Sequence, residues 1–411
     1  MYNSLDCQNP ENYFFNKEAD AVAHARLRSF TFILVAFMLG CNEFMVVGVL
    51  SDIARSYHAS LSTVGFLVTA FALVYAISTP IITMLTSNWN RYKLLISLMV
   101  VFLIGNTLTA MAPSLTWLLI ARVITAFVAG TIISLVNLLV SIITPLDKRP
   151  MVMAWVGAGF SIASVIGVPL GTTIATLLSW HDSFWIISGL TVIVFILLAW
   201  LTPRETPQVK GRVSEQLTLL KNRQVILGIG IVVAVLSLQY TFYTYVRPLI
   251  TTVMGFSLTS LNWLLLLLGL MSIIGNEVSG LVAGHNGVRH LPVLFLLMTV
   301  LSLLLGPALK NQVTGMAVLA LLCIVVVAYG TTTQLVFIAI AEKDYPQSLA
   351  LATSLPSIFA NVGISLGSFT ASTTVRFMDL TTVGYVGAVY GILAIIFALL
   401  LRKHAGELKL R

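Results

Sequence analysis

Along the chain, long apolar runs alternate with short polar breaks. The runs fall at residues 29–51, 61–85, 93–112, 116–143, 150–178 and 183–202 and then, beyond a polar stretch from Pro203 to Gln224, at 225–253, 261–284, 291–309, 313–340, 348–376 and 383–401. A bilayer-spanning helix needs about 20 apolar residues, whereas a transmembrane β-strand shows about 10 residues of alternating polarity, so the pattern predicts helices. The first 28 residues are polar, mixed in charge and without the apolar core of a signal peptide, and they read as a tail. The expected fold class is all-α: a polytopic membrane protein with 12 transmembrane helices in two six-helix pseudo-repeats. Its parts are an N-terminal tail (1–28), a first bundle (29–202), a linker (203–224), a second bundle (225–401) and a C-terminal tail (402–411).

The two bundles cover 174 and 177 residues and fall into register under a shift of 197. The shift carries Asp147, after span 4, onto Asp344, after span 10, and Thr83, at the end of span 2, onto Gly280, at the end of span 8. Near-equal halves joined by a polar linker are the pattern of transporters built from parallel repeats. The longest polar stretches are the 28-residue tail and the 22-residue linker, which leaves no room for a soluble catalytic domain.

Composition narrows the class. Of 411 residues, 58% are hydrophobic and 9% are charged. A soluble domain carries roughly 25% charged residues, so a soluble core protein is excluded, and disorder with it. The net charge of +8 would point to nucleic acid in a soluble chain; here its distribution gives another meaning. Of 23 Lys and Arg, 18 lie in the tails, the linker and the breaks after spans 2, 4, 8 and 10. The breaks after spans 1, 9 and 11 hold only Arg55, Lys310 and Arg376, while Arg122 and Arg247 lie within spans. Positive charge gathers on the cytoplasmic side, so both termini are expected inside, and no nucleic-acid partner is expected. Cys7, Cys41 and Cys323 are far apart, and the six histidines fall in tails or loops without ligand spacing, so neither a disulfide framework nor a metal site is expected. No nucleophile–base pair and no phosphate-binding glycine loop is visible, which argues against an enzyme and against an ATP-driven pump.

Four charges lie inside spans: Glu43, Arg122, Arg247 and Glu277. Each costs about 2.5–3.5 kcal/mol at a helix centre, so they should be paired, neutralised or wet. At 1.5 Å per residue, Glu43 lies about 12 Å, and Arg122 and Arg247 roughly 9 Å, from the outer ends of their spans. Glu277 lies roughly 10 Å from the inner end of span 8. A carboxyl whose surroundings change between two conformations couples proton flow to their interconversion. Glu43 fits that proton-coupling role, with Arg122 as its partner or as a barrier to proton leak; the alternative is a fixed Glu43–Arg122 pair that only locks spans together. Arg247 either faces the substrate or outer gate, or snorkels to the outer interface. Glu277 is either a second titrating site or half of an inner-gate pair with a loop arginine.

Polar side chains mark a candidate substrate cavity. Tyr240, Tyr243 and Arg247 fall at i, i+3 and i+7 on one face of span 7, flanked by Gln239 and Thr244. Ser354, Asn361, Ser365 and Ser372 recur along span 11, and Asn42, Asn137, Asn276 and Gln334 add amides in spans 1, 4, 8 and 10. Such groups suit a neutral, hydroxyl-bearing or amphipathic small molecule, and they serve equally to join helices within the bilayer. Gly159, Ala163, Gly167 and Gly171 form a small-residue ridge on span 5, bent by Pro169, echoed by Gly363, Gly367 and Ala371 on span 11. These ridges read as smooth surfaces on which the halves rock.

Several local patterns resemble one family. Span 1 reads Gly40-Cys-Asn-Glu43-Phe44 and then Gly48-Val-Leu; span 2 carries Phe71-Ala-Leu and Ala76-Ile-Ser-Thr-Pro80. Span 4 has Ala121-Arg122 with Ala126 and Gly130, and span 5 has Gly167-Val-Pro169-Leu-Gly171-Thr172 followed by Ser179-Trp180. Span 7 has Tyr245-Val-Arg247-Pro248, and span 8 has Gly275-Asn276 and Ser279-Gly280. From about residue 30 onward the chain resembles the major facilitator superfamily, within it the 12-span drug:H⁺ antiporter branch, and most of all the arabinose- and sugar-efflux permeases.

The resemblance implies a proton-coupled secondary transporter that exports sugars or amphipathic drugs by alternating access. It implies a monomer in the cell (plasma or inner) membrane, with substrate, protons and the bilayer as partners and no cofactor. An uncoupled facilitator or importer, or a membrane receptor or scaffold without transport, are the alternatives. The family's acidic loop between spans 2 and 3 is altered: Ser87 replaces its aspartate and Asn90 its second glycine, while Arg91 remains. The loop after span 8 keeps Gly280, Gly287 and Arg289 and also lacks the acid, and Thr125 replaces the glutamine after the span-4 arginine. Arg91, Asp147, Arg289 and Asp344 are therefore, with Glu277, the candidate gate charges of the inner side.

Overall fold

The computed structural model describes residues 10–86, 89–145, 149–205 and 217–404. Among them are twelve helical spans long and apolar enough to cross a bilayer. They are α1 (Pro10–Ser56), α2 (Leu61–Leu85), α3 (Arg91–Ala110), α4 (Leu115–Ile143), α5 (Arg149–Leu177) and α6 (Trp180–Leu201) in the first half. The second half has α7 (Arg223–Tyr243), α8 (Leu258–Gly284), α9 (Gly287–Ala308), α10 (Gln312–Asp344), α11 (Leu349–Phe377) and α12 (Val383–His404).

Short polar side chains set several helix starts. Ser60, Ser114, Ser179 and Ser257 each accept a hydrogen bond from the backbone N–H three residues on, and Asn90, Asn222 and Asn311 do the same at α3, α7 and α10. Each such cap contributes about 1 kcal/mol, and it draws α6 and α8 a turn earlier than hydrophobicity alone predicts.

Three elements depart from the sequence expectation. First, α1 begins at Pro10, so much of the expected tail continues the helix. No Gly or Pro interrupts residues 11–39, and Pro is well suited to a first helical position. Second, span 7 is not continuous. The α-helix ends at Tyr243 and is followed by a single turn, Val246–Pro248, and a wide π-turn, Leu249–Val253. Pro248 has no N–H to donate to the carbonyl of Thr244, which frees the chain to re-aim there. Third, α10 is made of two pieces, Gln312–Val327 and Gly330–Asp344; the break precedes Gly330 and three threonines, all weak helix formers. Asp344, expected in a loop, is the last residue of that helix.

The small-residue ridges have a different role from the expected one. An added Cβ at Gly159 would stand 2.6 Å from the Ile33 carbonyl, at Gly171 3.1 Å from that of Met45, and at Gly167 3.4 Å from the Phe44 Cβ. The ridge on α5 therefore seats α1 inside the first half. Gly363 and Gly367 of α11 likewise approach Val233 and Ser237 of α7 inside the second half. Close helix approach replaces the hydrophobic drive that lipid does not supply. Where the halves do meet between α5 and α8, the small residue is Gly269, whose added Cβ would lie 2.6 Å from Val165.

The short connections α1–α2, α3–α4, α5–α6 and their counterparts share one end of the bundle, the loop end; the end of α6 and the start of α7, which flank the linker, lie at the other, the linker end. Hydrogen bonds between described residues that join the halves all sit in the loop-end part. Ser62 Oγ donates to Ser372 O at 2.6 Å, Tyr245 Oη to Leu61 O at 3.2 Å and Ser365 Oγ to Thr69 O at 3.2 Å, while the hydroxyls of Thr69 and Ser368 are 3.0 Å apart. The molecule is closed at its loop end.

Candidate functional site

Consecutive residues of a helix point about 100° apart, and α1 uses this at Asn42 and Glu43. Asn42 is fully buried among α1, α3 and α4, while half-buried Glu43 lines a pocket between the halves. The pocket is formed by Glu43, Val46 and Val47 of α1, Val68, Phe71 and Ala72 of α2, Arg122 of α4, Tyr240 of α7 and Ile364 of α11. Its free interior is ≈ 10 Å³, about what one water occupies, so little open space surrounds the charges.

Arg122 is completely buried. Its Nη1 donates to Asn42 Oδ1 at 3.0 Å and to the Asn42 carbonyl at 3.1 Å. The guanidinium lies over the Phe71 ring, 4.3 Å from its centroid, with the Phe184 ring at 5.7 Å, a cation–π seat that replaces part of the lost hydration. Asn42 Nδ2 in turn donates to Asn106 Oδ1 on α3. Glu43 and Arg122 share the pocket without forming an ion pair: between described residues, ion pairs join Asp52 to Arg247 and, at 4.0 Å, Asp52 to Arg55. The fixed Glu43–Arg122 lock is thus absent from this conformation.

Arg247 does not snorkel. The break after α7 turns it inward, where it is 2% exposed, far below what an interfacial side chain would show. Nη1 donates to Asp52 and, at 2.5 Å, to the Gly48 carbonyl; Nη2 donates to Asp52 Oδ1 at 3.0 Å. The cation therefore clamps the second half onto α1 rather than lining the Glu43 pocket. Asp52 was missed because span 1 was bounded at residue 51. The signal was an acid at the outer end of one span and a cation at the outer end of the span related to it by the 197-residue shift.

The other expected cavity residues divide. Tyr240 lines the pocket, and half-buried Tyr243 packs edge-on against it at 5.8 Å. Asn42 is a core residue instead of a cavity one, because both of its amide atoms are spent on Arg122 and Asn106. Asn361 donates to Ser357 O on its own helix at 3.2 Å. Ser365 hydrogen-bonds to α2 and Ser372 to both Tyr245 and α2, so they join helices. Asn137 and Gln239 are half-buried, Asn276, Glu277 and Gln334 are exposed, and none of these five lines the Glu43 pocket. Glu277 has no ion-pair partner among the described residues, so the expected inner-gate pair is not formed here. Arg289 and Asp344 are exposed at the linker end, and Arg91 is buried at the start of α3. Asp147 and Ser87 lie outside the described residues. Asn106 escaped the sequence reading because a lone amide in an apolar run carries no pattern.

A twelve-helix bundle of two six-helix halves, with buried charges at its centre, defines a membrane transporter. The model of the Major Facilitator Superfamily matches residues 32–368, and the chain belongs to that family of secondary transporters, which are not enzymes. It is 30% identical over 364 residues to the uncharacterized MFS-type transporter YtbD of Bacillus subtilis (strain 168), covering 88% of this chain and 91% of that protein. Among solved structures it is similar to a bacterial homologue of the human lysosomal transporter Spinster in an inward-facing, unoccupied conformation, with TM-score 0.74, 16% identity and 92% and 97% of the two chains covered. It is also similar to a D-xylose-proton symporter, with TM-score 0.73, 16% identity and 94% and 99% coverage. At that identity these structures bear on the fold.

Proposed function

We propose that this transporter is a proton-coupled exporter of small molecules, sugars or amphipathic drugs, of the 12-span drug:H⁺ antiporter branch. The observation that carries the reading is the placement of Glu43 and Arg122 in one narrow pocket between the halves, without a direct ion pair. A carboxyl so placed has no fixed counter-ion, and rocking of the halves changes what it faces. A group with different proton affinity in two conformations ties proton flow to their exchange. The bodies that rock are residues 29–202 and 225–401, joined by the linker 203–224. The asymmetry of Lys and Arg supports cytoplasmic termini in the cell membrane, with the closed loop end outside. Tyr240, Tyr243, Gln239, Asn137, Asn361, Asn276 and Gln334 are the side chains proposed to meet substrate as the cavity opens, and Arg91, Asp147, Glu277, Arg289 and Asp344 the inner-gate charges.

The test uses purified protein in liposomes. A screen of sugars, nucleosides and amphipathic antibiotics by thermal shift supplies a ligand, and its flux is then followed with and without a pH gradient. Glu43→Gln should abolish gradient-driven accumulation while leaving substrate–substrate exchange; uphill transport at the wild-type rate in that variant sinks the reading.

A further inference from the structure

Arg122 uses one of its three nitrogens. Nη1 is bonded to Asn42, whereas Nε and Nη2 are buried and without an acceptor among the described residues. The chain that starts at Nη1 has a direction. Asn42 turns its Oδ1 to the cation, so its Nδ2 must point away, and it donates to Asn106 Oδ1. Asn106 Nδ2 is then a third buried donor with no acceptor. Leaving a buried donor unmade costs about 1–3 kcal/mol, so the two on Arg122, which lines the pocket with the Glu43 carboxyl, are a reservoir that a change of partner can release. The acceptor at hand is Glu43, the residue after Asn42 on α1 and a wall of the same pocket.

We propose that Asn42 and Asn106 are positioning residues that set how far Arg122 stands from Glu43, holding the guanidinium on Asn42 and off the carboxyl in this conformation. This rests on the reading of Glu43 as the proton carrier. The other titratable groups within electrostatic reach of Glu43 are the phenols Tyr75 of α2 and Tyr240 of α7; Val46, Val47, Val68 and Ile364, which complete the wall with Phe71 and Ala72, carry no charge. α5, which packs along α1, brings Phe160 to this level and no charge. Arg122 is thus the cation whose position decides the proton's fate. A guanidinium in contact with a carboxylate favours its ionised form. With Arg122 seated on Asn42, Glu43 keeps its proton more tightly than it would with the guanidinium in contact.

The test needs no substrate. The protonated-carboxyl band of Glu43 is titrated by infrared difference spectroscopy of the full-length protein in liposomes, and assigned by its loss in Glu43→Gln. Asn106→Leu removes the anchor of Asn42, and its expected effect is a move of the Glu43 midpoint to lower pH by about one unit, a tenfold change in proton affinity. Asn106→Gln, which restores an amide, should return the midpoint toward that of the wild type. Should Asn106→Leu not fold, Asn106→Ala carries the same expectation. An Asn106→Leu or Asn106→Ala midpoint equal to that of the wild type, with the band still titrating, overturns the inference and leaves Glu43 as the carrier. A wild-type protein without a Glu43-dependent titrating band overturns both.

Discussion

The two halves share one helical frame and divide the chemistry between them. Shifting by 197 residues carries the start of α2, Leu61, onto that of α8, Leu258, and the start of α4, Leu115, onto that of α10, Gln312. In that frame Glu43 coincides with Tyr240, and both line the same pocket from opposite sides. Asn106 coincides with Leu303 and Arg122 with Leu319, which is fully buried. At Arg122 the first half thus buries a cation where the second half packs a leucine, whereas Leu303, at the Asn106 position, is 45% exposed and Gln239 stands at the Asn42 position. A leucine at that depth satisfies the fold at no electrostatic cost, so the cation is not there to hold helices together. The comparison separates what the repeat needs for packing from what one half adds for transport.

The sharpest way to break that comparison is to exchange partners across it. Glu43→Gln is expected to reduce pH-gradient-driven accumulation to the level of empty liposomes. Tyr240→Phe, at the matching position, should keep coupling and alter substrate KM by a few-fold. Equal losses in both would remove the division of labour.

Next in size is Arg122→Leu, which copies the second half into the first. Replacing a buried charge by an apolar side chain is often neutral or stabilising, while Asn42 loses its donor at a cost of about 1–3 kcal/mol. The expected outcome is a folded protein whose detergent melting temperature falls by a few degrees, and whose gradient-driven transport is lost. The reverse change, Leu319→Arg, buries a cation with no acceptor and should prevent accumulation of folded protein.

Much of this frame was legible in the sequence, and the reason is physical. A bilayer forces every span to be about 20 apolar residues, so twelve runs announce twelve helices, and scarce intramembrane charge picks out Glu43 and Arg122. What escaped were features that lack a period. The break after Tyr243 depends on one proline, and the burial of Arg247 depends on that break. The partner of Arg247 lies 195 residues away, one residue past the assigned end of its span. The glycine ridges were recognised as packing surfaces, but sequence does not say what packs on them, and their partners are helices of the same half.

The two ends of the molecule give a third, smaller test. At the loop end Asp52, 16% exposed, and Arg247 join the halves, whereas at the linker end Arg289 is exposed. Asp52→Asn weakens a charged hydrogen bond that exists only while the loop end is closed, by about 1.5–3 kcal/mol. At about 1.4 kcal/mol per factor of ten, the closed population should fall roughly tenfold or more relative to the open one. Maleimide labelling of single cysteines placed near residues 56–61 reads this directly and should quicken. Arg289→Gln, at the other end, should leave that labelling unchanged.

The smallest expected effects concern the glycines that let helices touch. An added Cβ at Gly367 would meet the Ser237 carbonyl at 2.3 Å, and one at Gly48 the Val168 carbonyl at 2.5 Å. Overpacking of this kind costs about 1–3 kcal/mol, because backbone cannot step aside as a side chain does. The two sites differ in what else they do. The Gly48 carbonyl accepts from Thr172 at 3.2 Å and from Arg247 at 2.5 Å, so pushing it away from α5 also moves the clamp between the halves. Gly48→Ala is therefore expected to lower the melting temperature and to quicken loop-end labelling, whereas Gly367→Ala, within the second half, should lower the melting temperature alone. Gly157→Ala, where nothing stands within 4 Å, is the control and should raise helix stability by about 0.5–1 kcal/mol. Equal labelling in the Gly48 and Gly367 variants would mean that the clamp depends on its charges and is indifferent to the seat of the carbonyl.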